Sequence, residues 1–169
     1  MNPLKPIPDN LMLTDCIVYA LVAIVLLWSA YKDWKTYELP IVHYPALVVC
    51  VTIIRLYTDT MEWIPSILGL FTAIVTFGVL AVFFKGGGGD IIMMAAVGWC
   101  IGTVNLGFVI FSSWIVYLIG GFIYCKIKKL PMSRMQLPFA PAAFVGMILF
   151  IAGDLLFHIG MLQRWGLYY

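Results

Sequence analysis

Charged residues are scarce in this 169-residue chain: only 11% are Asp, Glu, Lys or Arg, whereas 63% are hydrophobic. A soluble domain averages about 25% charged and about 45–50% apolar residues. The deficit excludes an ordinary soluble protein and predicts a single integral membrane domain spanning residues 1–169. The net charge of +2 is also too small and too dispersed for a nucleic-acid partner.

Metal-binding and redox motifs are lacking as well. The chain has four cysteines and two histidines, with no Cys-x-x-Cys pair and no Cys/His cluster. Zinc sites require such clusters at short spacing, so we expect no metal and no other cofactor. Each cysteine stands alone in an apolar segment and is interpreted as a small core residue. They are Cys16, Cys50, Cys100 and Cys125.

Long apolar runs make up most of the chain. A helix needs about 20 apolar residues to cross about 30 Å of hydrocarbon. The runs therefore predict an all-α membrane protein with six transmembrane helices, of which the fourth is short and is preceded by a Gly-rich loop. The runs cover about 11–31, 41–57, 64–84, 91–102, 106–127 and 141–162.

The basic residues predict the orientation of these spans. Seven of the ten lie on one side of a six-span topology, and membrane proteins concentrate Lys and Arg on the cytoplasmic side. Both termini are therefore predicted to lie outside. The seven are Lys32, Lys35, Lys85, Lys126, Lys128, Lys129 and Arg134, and the other three are Lys5, Arg55 and Arg164.

Asp90 is the most informative residue of the chain. It follows the glycine run 86–89 and opens the short fourth run, 91–102, which covers only about 18 Å as a helix. Ionisable groups at membrane depth are costly and usually functional, and irregular backbone there requires a water-filled cavity or protein cover. We expect Asp90 to lie in a wet cavity open to the cytoplasm, with Gly87, Gly88 and Gly89 as its loop. The alternative is a flexible glycine hinge beside an ordinary N-terminal acid.

Asp33, at the end of the first apolar run, lies on the same predicted face of the membrane as Asp90. Two carboxyl groups that converge can share one proton and supply an acid and a base. The pair predicts an aspartyl protease that acts on membrane-inserted substrates. Because a helix N-terminus favours negative charge and a C-terminus disfavours it, we expect Asp90 to be ionised and Asp33 protonated before substrate binds.

Three segments together resemble the type IV prepilin peptidase family, which belongs to the GxGD intramembrane aspartyl proteases. Residues 87–90, Gly-Gly-Gly-Asp, resemble its second catalytic motif. Asp33, followed by Leu39 and Pro40, resembles its first. Residues 138–141, Pro-Phe-Ala-Pro, resemble the Pro-Phe-x-Pro that opens its last helix. Ile92 and Ile41 depart from the family, which often has Lys and Asn at these positions, and leave the substrate preference open.

The resemblance implies an aspartic endopeptidase with Asp33 and Asp90 as catalytic residues. Its substrate would be a prepilin-like, membrane-inserted precursor with a short basic leader, cleaved at the cytoplasmic face of a prokaryotic inner membrane. Membrane lipids would be its other partners. The connection after the first span has no cysteine, which implies a peptidase-only form without the N-methyltransferase segment. Candidates for substrate contact or packing are Lys35, Glu38, Pro40, Pro138 and Pro141.

Two other functions are compatible with the same residues. A small ion-coupled transporter would use Asp33, Asp90 and Asp154 as ion sites, and Asp154 shares a helical face with His158. A structurally satisfied pair near the outer interface also accounts for Asp154 and His158. A non-catalytic scaffold of a secretion system would tolerate the loss of either Asp33 or Asp90. Separately, the spacing of Gly98 and Gly102 predicts close helix packing.

Overall fold

The computed structural model describes residues 9–84, 87–129 and 137–157, which contain helices and connections but no strand. Within these ranges there are five helices: α1 Asp9–Thr36, α2 His43–Tyr57, α3 Trp63–Phe84, α4 Gly88–Lys128 and α5 Ala140–Phe157. Three segments are long and apolar enough to cross a membrane: Leu13–Thr36, Trp63–Val82 and Gly88–Lys128. The other two apolar helices, His43–Tyr57 and Ala140–Leu155, are shorter.

The predicted fourth and fifth spans are joined in α4. This helix has 41 residues, and a straight helix of that length would measure about 60 Å, twice the hydrocarbon thickness. It contains one break, at Gly102, where the backbone has φ 76° and ψ 171°. That region of conformational space is essentially restricted to glycine. The backbone therefore leaves helical geometry where the fourth span was predicted to end, although the count of six spans stays a prediction.

Proline marks the first turn of three helices. Pro45, Pro65 and Pro141 lie at the third, third and second residues of α2, α3 and α5. Proline is tolerated there because the first N–H groups of a helix have no intrahelical partner. The prolines in the local sequence therefore indicate where α2, α3 and α5 begin.

The glycine segment 87–89 is less irregular than expected. Gly88 and Gly89 already belong to the first turn of α4, so only Gly87 of the predicted loop lies outside the helix. Since the first residues of a helix need only an allowed backbone conformation, two glycines can be incorporated at a modest cost in conformational entropy. Lys85 and Gly86 lie outside the described residues.

The chain divides into two compact units. The first comprises residues 1–25 and 39–106, and the second comprises residues 26–38 and 107–169. In the first unit, α3 and α4 approach closely enough that a Cβ on Gly69 would overlap the carbonyl oxygen of Gly98, and the reverse also holds. The predicted close packing at Gly98 is confirmed. Next to it, the Thr103 hydroxyl donates to the carbonyl oxygen of Pro65 at 3.3 Å.

The second unit contains the last turns of α1, the second part of α4 (residues 107–128) and α5. Its helices also meet through small residues, since a Cβ on Gly146 in α5 would overlap the Ser113 hydroxyl in α4. The Ser112 hydroxyl donates to the carbonyl oxygen of Gly146 at 3.2 Å. The buried positions of this unit include Ala142, Ala143 and Met147, so one face of α5 is lined with small and flexible side chains.

Candidate active site

Asp33 lies on the buried face of the last turns of α1. Leu26, Ser29, Ala30 and Asp33 follow one another at helical spacing and are all buried, as expected for one face of a helix. Asp33 is only 6% exposed. Its Oδ2 accepts a hydrogen bond at 3.0 Å from the backbone N–H of Ala140. The carboxyl group therefore has a defined partner within the second unit.

Ala140 is the first residue of α5 and belongs to the Pro-Phe-Ala-Pro segment. An N–H in the first turn of a helix has no acceptor within that helix, and Asp33 supplies one from α1. The N-terminus of α5 also favours negative charge on its acceptor. The expectation of a protonated Asp33 considered only the C-terminus of α1. In the structure, the N-terminus of α5 also acts on the Asp33 carboxyl group and favours its negative charge. The protonated state of Asp33 therefore stays a prediction.

The residues after Asp33 end α1 and lead into α2. Tyr37 has φ 55°, and its N–H donates to the carbonyl oxygen of Asp33 at 2.9 Å, which is a left-handed helix cap formed without glycine. Lys35 and Glu38 are exposed, whereas Pro40 is buried. The Lys35 Nζ lies 6.0 Å from the ring centroid of Tyr31. Of the candidates in this segment, Lys35 and Glu38 are accessible to a partner and Pro40 contributes to packing.

Asp90 lies in the first turn of α4 in the first unit, and it is partly exposed. Its backbone N–H donates to the carbonyl oxygen of Gly87 at 3.2 Å. The N-terminal end of a helix stabilises a negatively charged side chain. The predicted helix N-terminus at Asp90 is therefore present.

Leu39 contacts the glycine segment directly. A Cβ on Gly89 would lie 2.9 Å from Leu39 Cδ1 and 3.3 Å from Leu39 Cβ, whereas a Cβ on Gly88 would have nothing within 4 Å. Leu39 belongs to the segment that resembles the first catalytic motif, and Gly89 belongs to the second. The Leu39 side chain thus packs against Gly89 within the first unit.

The structure brings together some of the predicted site residues. Asp33 is joined to the Pro-Phe-Ala-Pro segment, in which Pro138 is buried and Pro141 is partly exposed. Asp90 lies beside Gly87. Since Asp33 and Asp90 belong to different units, their pairing stays a prediction. Asp154 is partly exposed on α5, and His158 lies outside the described residues.

Sequence reasoning missed two polar contacts. The bond from Ala140 to Asp33 joins residues 107 positions apart, and no local pattern reports such a pair. The second contact is an ion pair between Arg55 Nη2 and Asp15 Oδ1 at 3.3 Å, with side chains 9% and 24% exposed. Two opposite charges inside apolar runs were the available signal for this pair, because such residues rarely occur there unpaired.

Comparison with protein families identifies the family of this chain. The model of the type IV leader peptidase family matches residues 20–122, which is more than half of the chain. The chain therefore belongs to the type IV leader peptidase family. Membership implies a protease, and with the apolar helices it fits a membrane protein. Neither the curated proteins nor the solved structures include a significant match.

Proposed function

We propose that this protein is an aspartic endopeptidase that removes the short basic leader from prepilin-like precursors, with Asp33 and Asp90 as its catalytic pair. One observation carries the proposal: the segment matched by the leader peptidase family, residues 20–122, contains both aspartates. Five acids fall within that segment, and only Asp33 and Asp90 are in helices. The other three, Glu38, Asp59 and Glu62, are exposed in connections.

The chemistry follows from two carboxyl groups acting on one water molecule. Peptide hydrolysis needs a base that takes a proton from water and an acid that protonates the carbonyl oxygen. Two nearby carboxyl groups resist double ionisation and can share one proton, so one ionised and one protonated group are available together. We propose Asp90 as the ionised partner because it lies at the N-terminus of α4. The two groups titrate as a pair.

The proposed topology has six spans, with α4 crossing the membrane twice and breaking at Gly102. In that topology, the distribution of the basic residues supports a cytoplasmic position for Asp33 and Asp90. A prepilin-like substrate has its basic leader at that face, ahead of a long apolar helix. The exposed carboxylate of Glu38 is suited to meet a basic leader, whereas the exposed ammonium of Lys35 is suited to lipid phosphates.

The deciding experiment is co-expression with candidate prepilins and detection of the shortened product on a gel. Asp33→Asn and Asp90→Asn should lower the cleavage rate by about 10²–10⁴-fold, the contribution of a general acid or base. Asn at position 33 keeps a carbonyl oxygen that can accept the Ala140 N–H, so the test removes the acid with little change in packing. The matched control is Asp59→Asn, on an exposed aspartate with φ 54°, a conformation that Asn tolerates.

The outcomes separate the three functions considered for these residues. Cleavage by the wild type and by Asp59→Asn, together with loss of cleavage in Asp33→Asn and Asp90→Asn, supports the endopeptidase. Retained cleavage in Asp33→Asn or Asp90→Asn removes that residue from the catalytic pair. Absence of cleavage by the wild type across several prepilins would favour a scaffold or a transporter.

A further inference from the structure

Aromatic side chains surround the residue that precedes Ala140. In the second unit, the Phe139 ring centroid lies 5.8 Å from that of Tyr117 and 6.3 Å from that of Trp114. Tyr117 and Trp114 also contact each other, with centroids 6.1 Å apart in an edge-on arrangement. Aromatic rings at such distances attract each other beyond the effect of the area that they bury. The start of α5 is therefore held against the second part of α4.

A hydrogen bond supplements this aromatic contact. The Tyr117 hydroxyl donates to the carbonyl oxygen of Leu137 at 3.4 Å. Phe139 and Ala140 are buried, with Ala140 fully so. The backbone from 137 to 140 is thus anchored on both sides of Pro138, which fixes where the Ala140 N–H points.

The Ala140 N–H is directed at the Asp33 carboxyl group. The donor and acceptor are 3.0 Å apart, and the two residues are 0% and 6% exposed. Pro141, the next residue, has no N–H and offers no competing donor. The N–H of Ala143 is already used, since it donates to the carbonyl oxygen of Phe139 at 3.0 Å. Ala140 therefore contributes a donor that the helix itself does not need.

We propose that the backbone N–H of Ala140 is a positioning group for the leader peptidase reaction: it holds the Asp33 carboxyl group in its reactive orientation, and Trp114 and Tyr117 hold the N–H in place through Phe139. This inference rests on the proposed function of Asp33. A hydrogen bond to a carboxylate favours its charged form and limits its rotation. Position 140 then requires a backbone N–H as well as a small side chain.

The sharpest test replaces the N–H alone. Ala140→lactic acid, introduced by nonsense suppression, converts the amide to an ester and removes the donor without adding atoms. The matched control is Ala143→lactic acid, which removes the Ala143 bond to Phe139 and weakens the same turn of α5, but leaves Asp33 untouched. Both are measured for kcat, KM and rate against pH on a prepilin cleaved by the wild type.

We expect the two ester variants to differ in kcat and in their pH profiles. Ala140→lactic acid should lower kcat about tenfold, within the range expected for loss of one intramolecular hydrogen bond, with KM unchanged. The pH profile, whose limbs belong to the aspartate pair, should move to higher pH, because the ionised form of Asp33 loses a stabilising donor. That direction is the same for the acidic and the basic limb. Equal kcat and an identical pH profile for the two esters would overturn the inference.

A second measurement needs no change at position 140. The dipeptide Phe-Ala occurs once in the chain, at 139–140, so ¹³C-carbonyl Phe with ¹⁵N Ala labels a single amide. Its proton shift should follow the titration of Asp33 in the wild type and lose that dependence in Asp33→Asn. An amide that ignores pH in both proteins would overturn the inference.

The NMR measurement also separates this inference from the proposed function. If the wild type cleaves no prepilin but the amide follows Asp33, the contact is present and the peptidase assignment fails. If the wild type cleaves and the amide does not respond to pH, only the role of Ala140 fails.

Discussion

Gly88 and Gly89 have different surroundings although they are consecutive in one glycine run. A Cβ on Gly89 would come within 2.9 Å of the Leu39 side chain, whereas one on Gly88 would meet nothing within 4 Å. We predict that Gly89→Ala lowers the free energy of unfolding by about 1 kcal/mol, the low end of the usual cost of overpacking because Leu39 Cδ1 is the end of a flexible side chain, and reduces cleavage. Gly88→Ala should keep wild-type stability and activity, because its site is open.

The measurement is thermal unfolding in detergent followed by circular dichroism, together with the prepilin cleavage assay. The two variants add the same methyl group one residue apart, so each controls for the other. Equal effects of the two substitutions would contradict the role assigned to the Leu39 contact.

Local signals predicted the types of residue in the site but not the contacts among them. Asp33, Asp90 and the glycines were recognisable because acids and glycine runs stand out in apolar sequence. The requirement for a small residue at position 89 depends on Leu39, which comes from a different part of the chain. The Ala140 bond to Asp33 likewise depends on tertiary packing. No spacing rule reports either contact, since both are set by how separate parts of the chain pack.

At the scale of secondary-structure elements, the crossing of α3 and α4 depends on glycine. We predict that Gly69→Ala destabilises the protein by about 3 kcal/mol, because the new methyl group would overlap the carbonyl oxygen of Gly98 and two backbones cannot yield as a flexible side chain can. Gly78→Ala, in the same helix, has nothing within 4 Å of the added Cβ. It should be neutral or stabilise by up to about 1 kcal/mol through helix propensity.

Unfolding in mixed micelles by titration with a denaturing detergent measures both variants on one scale. A Gly69→Ala protein as stable as Gly78→Ala would mean that α3 and α4 do not approach at these residues.

The helices α1 and α2 are joined by the Asp15–Arg55 ion pair. Arg55 is the more buried partner, and within the described part of the chain its Nε has no hydrogen-bond acceptor. Removing Asp15 alone leaves a buried positive charge, so Asp15→Leu should cost about 3 kcal/mol of stability. The double variant Asp15→Leu/Arg55→Met replaces both charges by apolar groups and should lie closer to the wild type than Asp15→Leu does.

The unfolding free energies of the wild type, Asp15→Leu, Arg55→Met and the double variant form a double-mutant cycle. The cycle gives the coupling free energy between residues 15 and 55. Additive losses, with the double variant the least stable of the four, would contradict a direct pair.

Helix breaks were easier to predict than helix counts. Gly102 ends the predicted fourth span and is the residue at which α4 leaves helical geometry, because only glycine readily adopts those dihedral angles. The parts of α4 before and after Gly102 form one membrane span or two, depending on whether the two ends of α4 lie on opposite sides of the membrane or on the same side.

At the scale of the whole molecule, the side of the membrane on which each connection lies shows whether α4 crosses the membrane once or twice. In the proposed six-span topology, Glu38 and Lys128 lie on the cytoplasmic side and Glu62 lies outside, and all three side chains are exposed. If α4 crossed the membrane once, the side of Lys128 would be reversed relative to Glu38. We therefore predict that Glu38→Cys and Lys128→Cys react with a membrane-impermeant maleimide only after permeabilisation, whereas Glu62→Cys reacts in intact cells.

The labelling needs a background without the native cysteines, of which Cys16 and Cys50 are exposed and Cys100 and Cys125 are buried. Replacing all four by alanine and confirming prepilin cleavage provides that background, and the same protein without an added cysteine is the control for non-specific labelling. Labelling of Lys128→Cys in intact cells would show that α4 spans the membrane once and would contradict six spans. Labelling of Glu38→Cys in intact cells would move Asp33 to the outer face, away from the leader of any prepilin, and the proposed cleavage would then be impossible at that site.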